Sequence, residues 1–404
     1  ILKCMVKKNY FLLFFFIFLS IFSLTKLFDN STNLDAWEYG EWLINYQYGF
    51  VRRGLFGEII YQLSSVLNNN IQISFFLILS IICLFYYFLN YLFLKNIKFN
   101  FFNFFIIFSP LFYLFFVMIN GVGVRKEIIL YIFYLLYLIS LCSKDFDLKK
   151  AWKFIYFFPL LLFIHEGIFF YLPYVFFPLL FLIRKENYKN LLFHLFTSTT
   201  LSFAIMMFLF FNKGTNAHVI HICQSLGIFA PINCEKFGPI YALKDEILRD
   251  QNYESLLFFY LEANCKSWLG YTIYILYSLL PFSLFFYFTK LKNNIFKSKY
   301  PFLLIYLIFF GFALPLFHLT QDWSRWFSIH FHLIAFLIFF LQRIEVLHYE
   351  KKELFYNLNS FFTNRKIFFF FFLLVYSTLL HHEEYFSKGV KLEFTYYKIF
   401  KKLK

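Results

Sequence analysis

Residues 154–183 read FIYFFPLLLFIHEGIFFYLPYVFFPLLFLI. This apolar stretch of about 30 residues is long for one membrane helix and short for two complete ones, since a crossing takes about 20 residues. Pro159, His165, Glu166, Gly167, Pro173 and Pro178 interrupt it. Whether it crosses once or turns back decides the side on which every later loop lies.

Basic residues settle the matter, because short cytoplasmic loops of membrane proteins concentrate Lys and Arg. With the N-terminus inside, the connection with Lys95 and Lys98 is inside, and so is the one with Lys144, Lys149, Lys150 and Lys153. If 154–183 is a helical hairpin, Arg184, Lys185 and Lys189 are inside as well. Lys290, Lys292, Lys297 and Lys299 follow, then Arg343, Lys351, Lys352, Arg365 and Lys366. A single crossing would put all of these later clusters outside. The expected element is therefore a hairpin with short or re-entrant limbs and its tip at His165-Glu166.

The composition demands a bilayer. Of 404 residues 61% are hydrophobic and 15% charged, against about 25% charged in soluble domains. Mean hydropathy is +0.63. Phe supplies 70 residues; Phe, Ile, Asn, Lys, Tyr and Leu all rise in AT-rich coding sequence, so this excess is not a binding signal. The formal charge of +15 is not read as nucleic-acid binding, since the cations sit in short clusters between apolar runs and no nucleic-acid motif accompanies them.

Candidate spans are 10–28, 71–94, 99–119, 128–142, the limbs 154–164 and 167–183, 190–212, 269–289, 301–318, 327–341 and 367–380. The run 10–28 follows Lys3, Lys7 and Lys8, and no small-residue cleavage site closes it, so it reads as a retained first helix. The expected fold is all-α, one polytopic membrane domain over 1–404 with about 10–11 transmembrane helices. Its outer loops are 29–70, 119–127, the large 213–268 and 319–326. The tail 381–404 lands outside yet is lysine-rich; it is expected as an amphipathic segment on the membrane surface, unless the last run does not cross.

Six cysteines form no CxxC pair, so zinc is not expected. Cys83 and Cys142 read as inert thiols. Cys223, Cys234 and Cys265 share one loop, and two of them can pair if that loop is outside. His381-His382-Glu383-Glu384 reads as a solvated helix end and not a metal site.

Polar clusters gather in the outer loops. Asp35, Glu38 and Glu41 are spaced by three, which on a helix gives one face. Arg52 and Arg53 follow in YGFVRRGLFGE, where positive charge is normally sparse. They either hold an anion such as a diphosphate or pair with these acids; the sequence leaves both open. Asn120-Gly-Val-Gly-Val-Arg125-Lys126-Glu127 opens a span with backbone amides and two cations, a combination suited to an anion. His165-Glu166 lies between apolar runs, where polar groups are costly; it is either functional or a structural hydrogen bond. His318-Leu-Thr-Gln-Asp322-Trp323-Ser-Arg325-Trp326 pairs charge with two tryptophans. Trp323 and Trp326 fit either an interfacial belt or stacking on sugar rings, and Asp322 with Arg325 fits a local ion pair.

Carboxylates, arginines and histidines on one side of a multi-pass chain resemble the lipid-linked-sugar glycosyltransferases called GT-C, and within them the Wzy-type O-antigen or capsule repeat-unit polymerases. The likeness covers the layout of the whole chain, but only short stretches in motif. It implies polymerisation of polyprenyl-diphosphate-linked oligosaccharides at the periplasmic face of a bacterial inner membrane, with a chain-length regulator protein as a partner and membrane lipid as surroundings. Arg52, Arg53, Arg125, Lys126 and Arg325 then hold phosphate, and Asp35, Glu166, His165 or Asp322 takes the acceptor proton. No cofactor or metal is expected, because the arginines neutralise the leaving group. The rivals are a lipid-linked-oligosaccharide flippase, a transferase of single sugars from a polyprenyl-phosphate donor, and an O-acyltransferase using His165.

Overall fold

The computed structural model describes residues 2–30, 37–114, 124–143, 147–182, 188–229, 238–243, 272–273, 275–291, 301–319, 323–349, 352–378, 380–383 and 391–394. Helices dominate, with two short two-stranded ribbons among these residues. The chain divides into two compact units, Ile1–Lys95 with Gly121–Leu256, and Asn96–Asn120 with Leu257–Lys404.

In the first unit α1 (Leu2–Asn30) packs on α3 (Ile71–Leu94). Ser23 Oγ and Tyr87 Oη lie 2.8 Å apart between them, so these two buried hydroxyls satisfy one another. Between them come the turns Trp37–Gly40 and Glu41–Leu43, then α2 (Leu55–Leu67). Gly57 lets α2 touch the preceding loop: a Cβ there would run into the Ile44 carbonyl oxygen. After α3 the chain makes a short helix of the second unit, α4 (Phe101–Ile107), and returns at α5 (Glu127–Leu141).

α6 (Leu148–Phe157) begins on an Asp147 cap, whose carboxylate accepts the Lys149 amide at 3.0 Å. Short 3-10 turns follow, Phe158–Phe163 and Glu166–Tyr171. Pro159, Pro173 and Pro178 sit at the starts of the turns in this stretch, where a missing N–H costs nothing. Between the limbs His165 is extended, at φ −161° and ψ 119°. The stretch turns back here. Tyr137 of α5 meets both limbs, its ring 5.5 Å from the Phe154 ring and its hydroxyl donating to the Val175 carbonyl at 2.8 Å. Each limb is too short to span a hydrocarbon core about 30 Å thick. α7 (Tyr188–Phe211) packs along both, and α8 (Asn216–Gly227) starts on a Thr215 cap.

The second unit holds α4, α9 (Ile275–Phe288), α10 (Pro301–Leu319), α11 (Trp323–Arg343), α12 (Lys352–Asn364) and α13 (Lys366–Thr378). α11 is its core, with Leu333–Leu341 all buried. Asn103 Nδ2 donates to Gln342 Oε1 at one end of α11, and Ser328 Oγ donates to the Leu111 carbonyl at the other. Strands β1 (Thr289–Leu291) and β2 (Leu347–Tyr349) pair antiparallel.

Among the described residues four helices are long and apolar enough to cross a membrane: Asn9–Phe28, Ile71–Leu94, Lys189–Phe211 and Arg325–Arg343. A fifth crossing is possible if the pair Glu353–Phe362 and Lys366–Thr378, bent by 94°, acts as one. The chain is thus a helical multi-span protein, as expected. The expected crossings 128–142, 269–289 and 301–318 contain the shorter described apolar stretches Glu127–Leu141, Ile275–Phe288 and Leu303–Leu316, the last within the 19-residue α10. The expected span 99–119 is helical only to Ile107 within 101–114, because Pro110 removes a donor and drives Ser109 from helical geometry. The helix-end reading at 381–384 is also corrected. Leu380–Glu383 (β3) pairs antiparallel with Lys391–Phe394 (β4), so His381-His382-Glu383 belongs to a ribbon and not a helix end.

Candidate functional site

The site lies in the first unit, where three segments far apart in sequence meet. The hairpin tip contributes His165 and Glu166, the first loop Glu41, Arg52 and Arg53, and the segment before α5 Lys126. Three local features hold the loop in place. Trp42 Nε1 donates to the Val124 carbonyl at 2.9 Å, tying the loop to the start of α5. The Arg52 amide donates to the Asn212 carbonyl at 3.0 Å, tying it to the end of α7. Glu58 accepts from the Tyr46 amide at 2.9 Å and from Gln47 and Gln62, closing the loop on α2.

Arg53 adopts φ 65°, a left-handed conformation unusual for a non-glycine residue. From there its guanidinium reaches two carboxylates. Nε and Nη2 fork onto Glu166, and Nη1 donates to Glu41 Oε1 at 3.2 Å. Arg52 Nη1 adds a bond to Glu166 Oε1 at 3.2 Å. Lys126 Nζ donates to the Arg53 carbonyl at 2.7 Å, which places its charge beside the same pair of acids. His165 Nδ1 accepts the Gly167 amide at 3.0 Å, so the proton of the neutral ring sits on Nε2, 3.4 Å from Glu41 Oε1.

The electrostatics follow from this packing. Burial alone would raise the Glu166 carboxyl, but Arg53, through charge and hydrogen bonds, then Arg52 and His165, hold it well below the usual carboxylate range. Burial pushes Lys126 down to about 8; Arg53 adds to this, while Glu41, Glu166 and Glu127 oppose it. Glu41 is 3% exposed, whereas the Arg52, Arg53 and Glu166 side chains are 22–25% exposed. The cluster therefore has a closed floor and an open rim. Lys126 is fully buried and also lies in the field of Glu127, so the cations offered at the rim are Arg52 and Arg53.

Of the residues singled out in the sequence, Arg52, Arg53, Lys126, His165 and Glu166 come together. Arg125 is buried next to Lys126 at the start of α5. Asp35 and Asp322 lie outside the described residues, and nothing is described of the Trp323 side chain. Arg325 and Trp326 are buried in the second unit, with the guanidinium 5.1 Å from the indole centroid. Glu41 is a central member that the sequence suggested only as one acid of three. Its neighbour Trp42, an indole in a polar loop, was the available sign that this turn is buried.

The large loop adds a second feature. Tyr48 stacks on His221 at 4.2 Å and meets His218 edge-on at 5.1 Å. Burial, and the charge of His221, lower His218, against a bond to the Phe50 backbone. Cys223 on α8 is disulfide-bonded, to a partner outside the residues whose side chains are described.

The fold and this cluster define a helical, multi-span membrane protein with a charged, partly open site at the tip of a short hairpin. No protein family, curated protein or solved structure matches the chain.

Proposed function

We propose that the chain is a membrane glycosyltransferase that joins polyprenyl-diphosphate-linked oligosaccharide repeat units into a surface polysaccharide. The observation that carries this reading is the Arg52–Arg53 pair, fixed by Glu41 and Glu166 at a partly open rim with Lys126 buried beneath it. Guanidinium groups already in place at a leaving diphosphate lower the barrier without reorganising during the reaction. The Cys223 disulfide supports an oxidising compartment for this face, in keeping with a reaction outside the cytoplasm.

Within this reading Glu166 is an anchor for the arginines and not the base, because a carboxylate held so low takes up protons poorly. His165 is the described candidate. Taking the acceptor proton on Nδ1 requires the Gly167 amide to let go, and Glu41 then faces the Nε2–H of the imidazolium. Asp35 remains the other candidate. The acceptor oxygen attacks the anomeric carbon, the bond to the diphosphate breaks, and the diphosphate leaves with the electron pair onto the cations.

Deleting the gene and running the surface polysaccharide on a gel tests the assignment. A product with a single repeat unit is expected. Loss of all product would point instead to a flippase, and an unchanged ladder would end the proposal.

A further inference from the structure

α12 carries three distinct stripes. Phe355, Asn359 and Phe362 face α4: Phe355 is buried, its ring 5.8 Å from Phe102, Phe362 lies 5.2 Å from Phe101, and Asn359 Oδ1 accepts the Phe101 amide at 3.3 Å. Glu353, Asn357, Ser360 and Asn364 form an exposed polar stripe at helical spacing. Leu354, Leu358, Phe361 and Arg365 recur at the same spacing between these two. Leu354 is 47% and Phe361 39% exposed. The Arg365 guanidinium lies 4.5 Å from the Phe361 ring centroid, its stem along the apolar stripe and its charge at the end.

The apolar stripe runs into α13, where Ile367, Phe368, Phe370 and Phe371 are all exposed and form an apolar face of the kind a bilayer covers. Yet α12 does not prolong α13, since the two are bent by 94°. If α13 enters the bilayer, α12 runs along its surface. The surroundings agree. α12 sits at the end of α11 where Arg343, Lys98 and Lys290 gather, Lys98 paired with Glu345 and Lys290 in register with His348. This is the basic, cytoplasm-facing end by the charge rule.

We infer that α12 is an in-plane helix docked on an anionic leaflet, with Leu354, Leu358 and Phe361 dipping into the acyl boundary and Arg365 and Lys366 at the lipid phosphates. The site is independent of the proposed enzymatic function, and its ligand is the headgroup layer itself. An interfacial helix fixed to α4, which itself is bonded to α11 through Asn103 and Gln342, also holds that end of α11 at a set depth.

The test is depth measurement in vesicles of phosphatidylcholine and phosphatidylglycerol. Leu354→Cys, Asn357→Cys and Phe361→Cys, each in a background without free thiols, are labelled with an environment-sensitive fluorophore and quenched by doxyl lipids. Positions 354 and 361 should report the same shallow depth, roughly 5–10 Å into the boundary, and 357 should stay unquenched. A difference of about 10 Å between 354 and 361, the rise of seven helical residues, would mean a broken span and overturn the inference. Absence of quenching at both would mean that water or protein covers the stripe, and would also overturn it. The doubly substituted Arg365→Gln, Lys366→Gln protein should ride shallower in the mixed vesicles and lose the difference between these and pure phosphatidylcholine. An unchanged depth would remove the anionic component.

Discussion

Arg53 holds Glu166 in a fork, Nε to Oε2 at 2.8 Å and Nη2 to Oε1 at 2.5 Å, and turns its remaining nitrogen to Glu41. One planar side chain thereby joins the first loop to the hairpin tip. A lysine has the charge but not the fork. Arg53→Lys should therefore lower stability by about 2 kcal/mol, the scale of lost bonds to charged groups. Arg52→Lys, which replaces a single bond to Glu166, should cost less. Unfolding in detergent checks the ranking. In a double-mutant cycle Arg53→Gln with Glu166→Gln should cost less than the two single changes added, because neither partner is then left alone.

Acid should weaken this fold through Glu166. Its carboxyl is held below an unfolded value of about 4.3, so its contribution is complete above that pH and lost as pH falls through the lower folded value. The difference in unfolding midpoint between wild type and Glu166→Gln should be constant from pH 7 to about 5 and shrink below about 4.

Lys126 behaves in the opposite sense. Its folded value of about 8 lies below an unfolded value of about 10.4, so the unfolded chain binds more protons between these. Stability relative to Lys126→Met should be flat below pH 8 and rise between about 8 and 10. Its charge adds to the field behind Arg52 and Arg53, so affinity for lipid-linked substrate should fall over the same range as the proton leaves. Titrations of binding and of unfolding on one sample separate the two effects.

Gly57 sits where α2 meets the Ile44 carbonyl, and that backbone atom cannot move aside. Gly57→Ala should abolish stable expression. Gly54→Ala faces the Tyr46 ring, a side chain that can shift, and should be milder. Detergent size-exclusion profiles of the two variants test the order.

The architecture was legible where physics is local. Ile71–Leu94 could be bounded from hydropathy alone, and the hairpin from loop charges, because insertion side depends on short-range counts. The 99–119 span was over-extended, since hydropathy does not register how Ser109-Pro110 stops a helix. The site was half legible. Arg52 and Arg53 announced themselves by their place in a loop, but Glu166 lies 113 residues beyond Arg53, and no periodicity marks a contact at that separation. The sequence offered the nearby acids as partners; of these Glu41 does pair with Arg53, and the stronger fork goes to the hairpin tip.

The central claim is that the cation group at the hairpin tip discharges a polyprenyl-diphosphate leaving group. The direct measurement gives purified protein in vesicles a polyprenyl-diphosphate oligosaccharide and follows both chain length and released polyprenyl diphosphate. Wild type should yield a ladder with one diphosphate released per linkage, and Arg52→Gln should bind the substrate more weakly and slow both together. A ladder and release unchanged in Arg52→Gln and Lys126→Gln, or no turnover by folded wild type, would contradict the account.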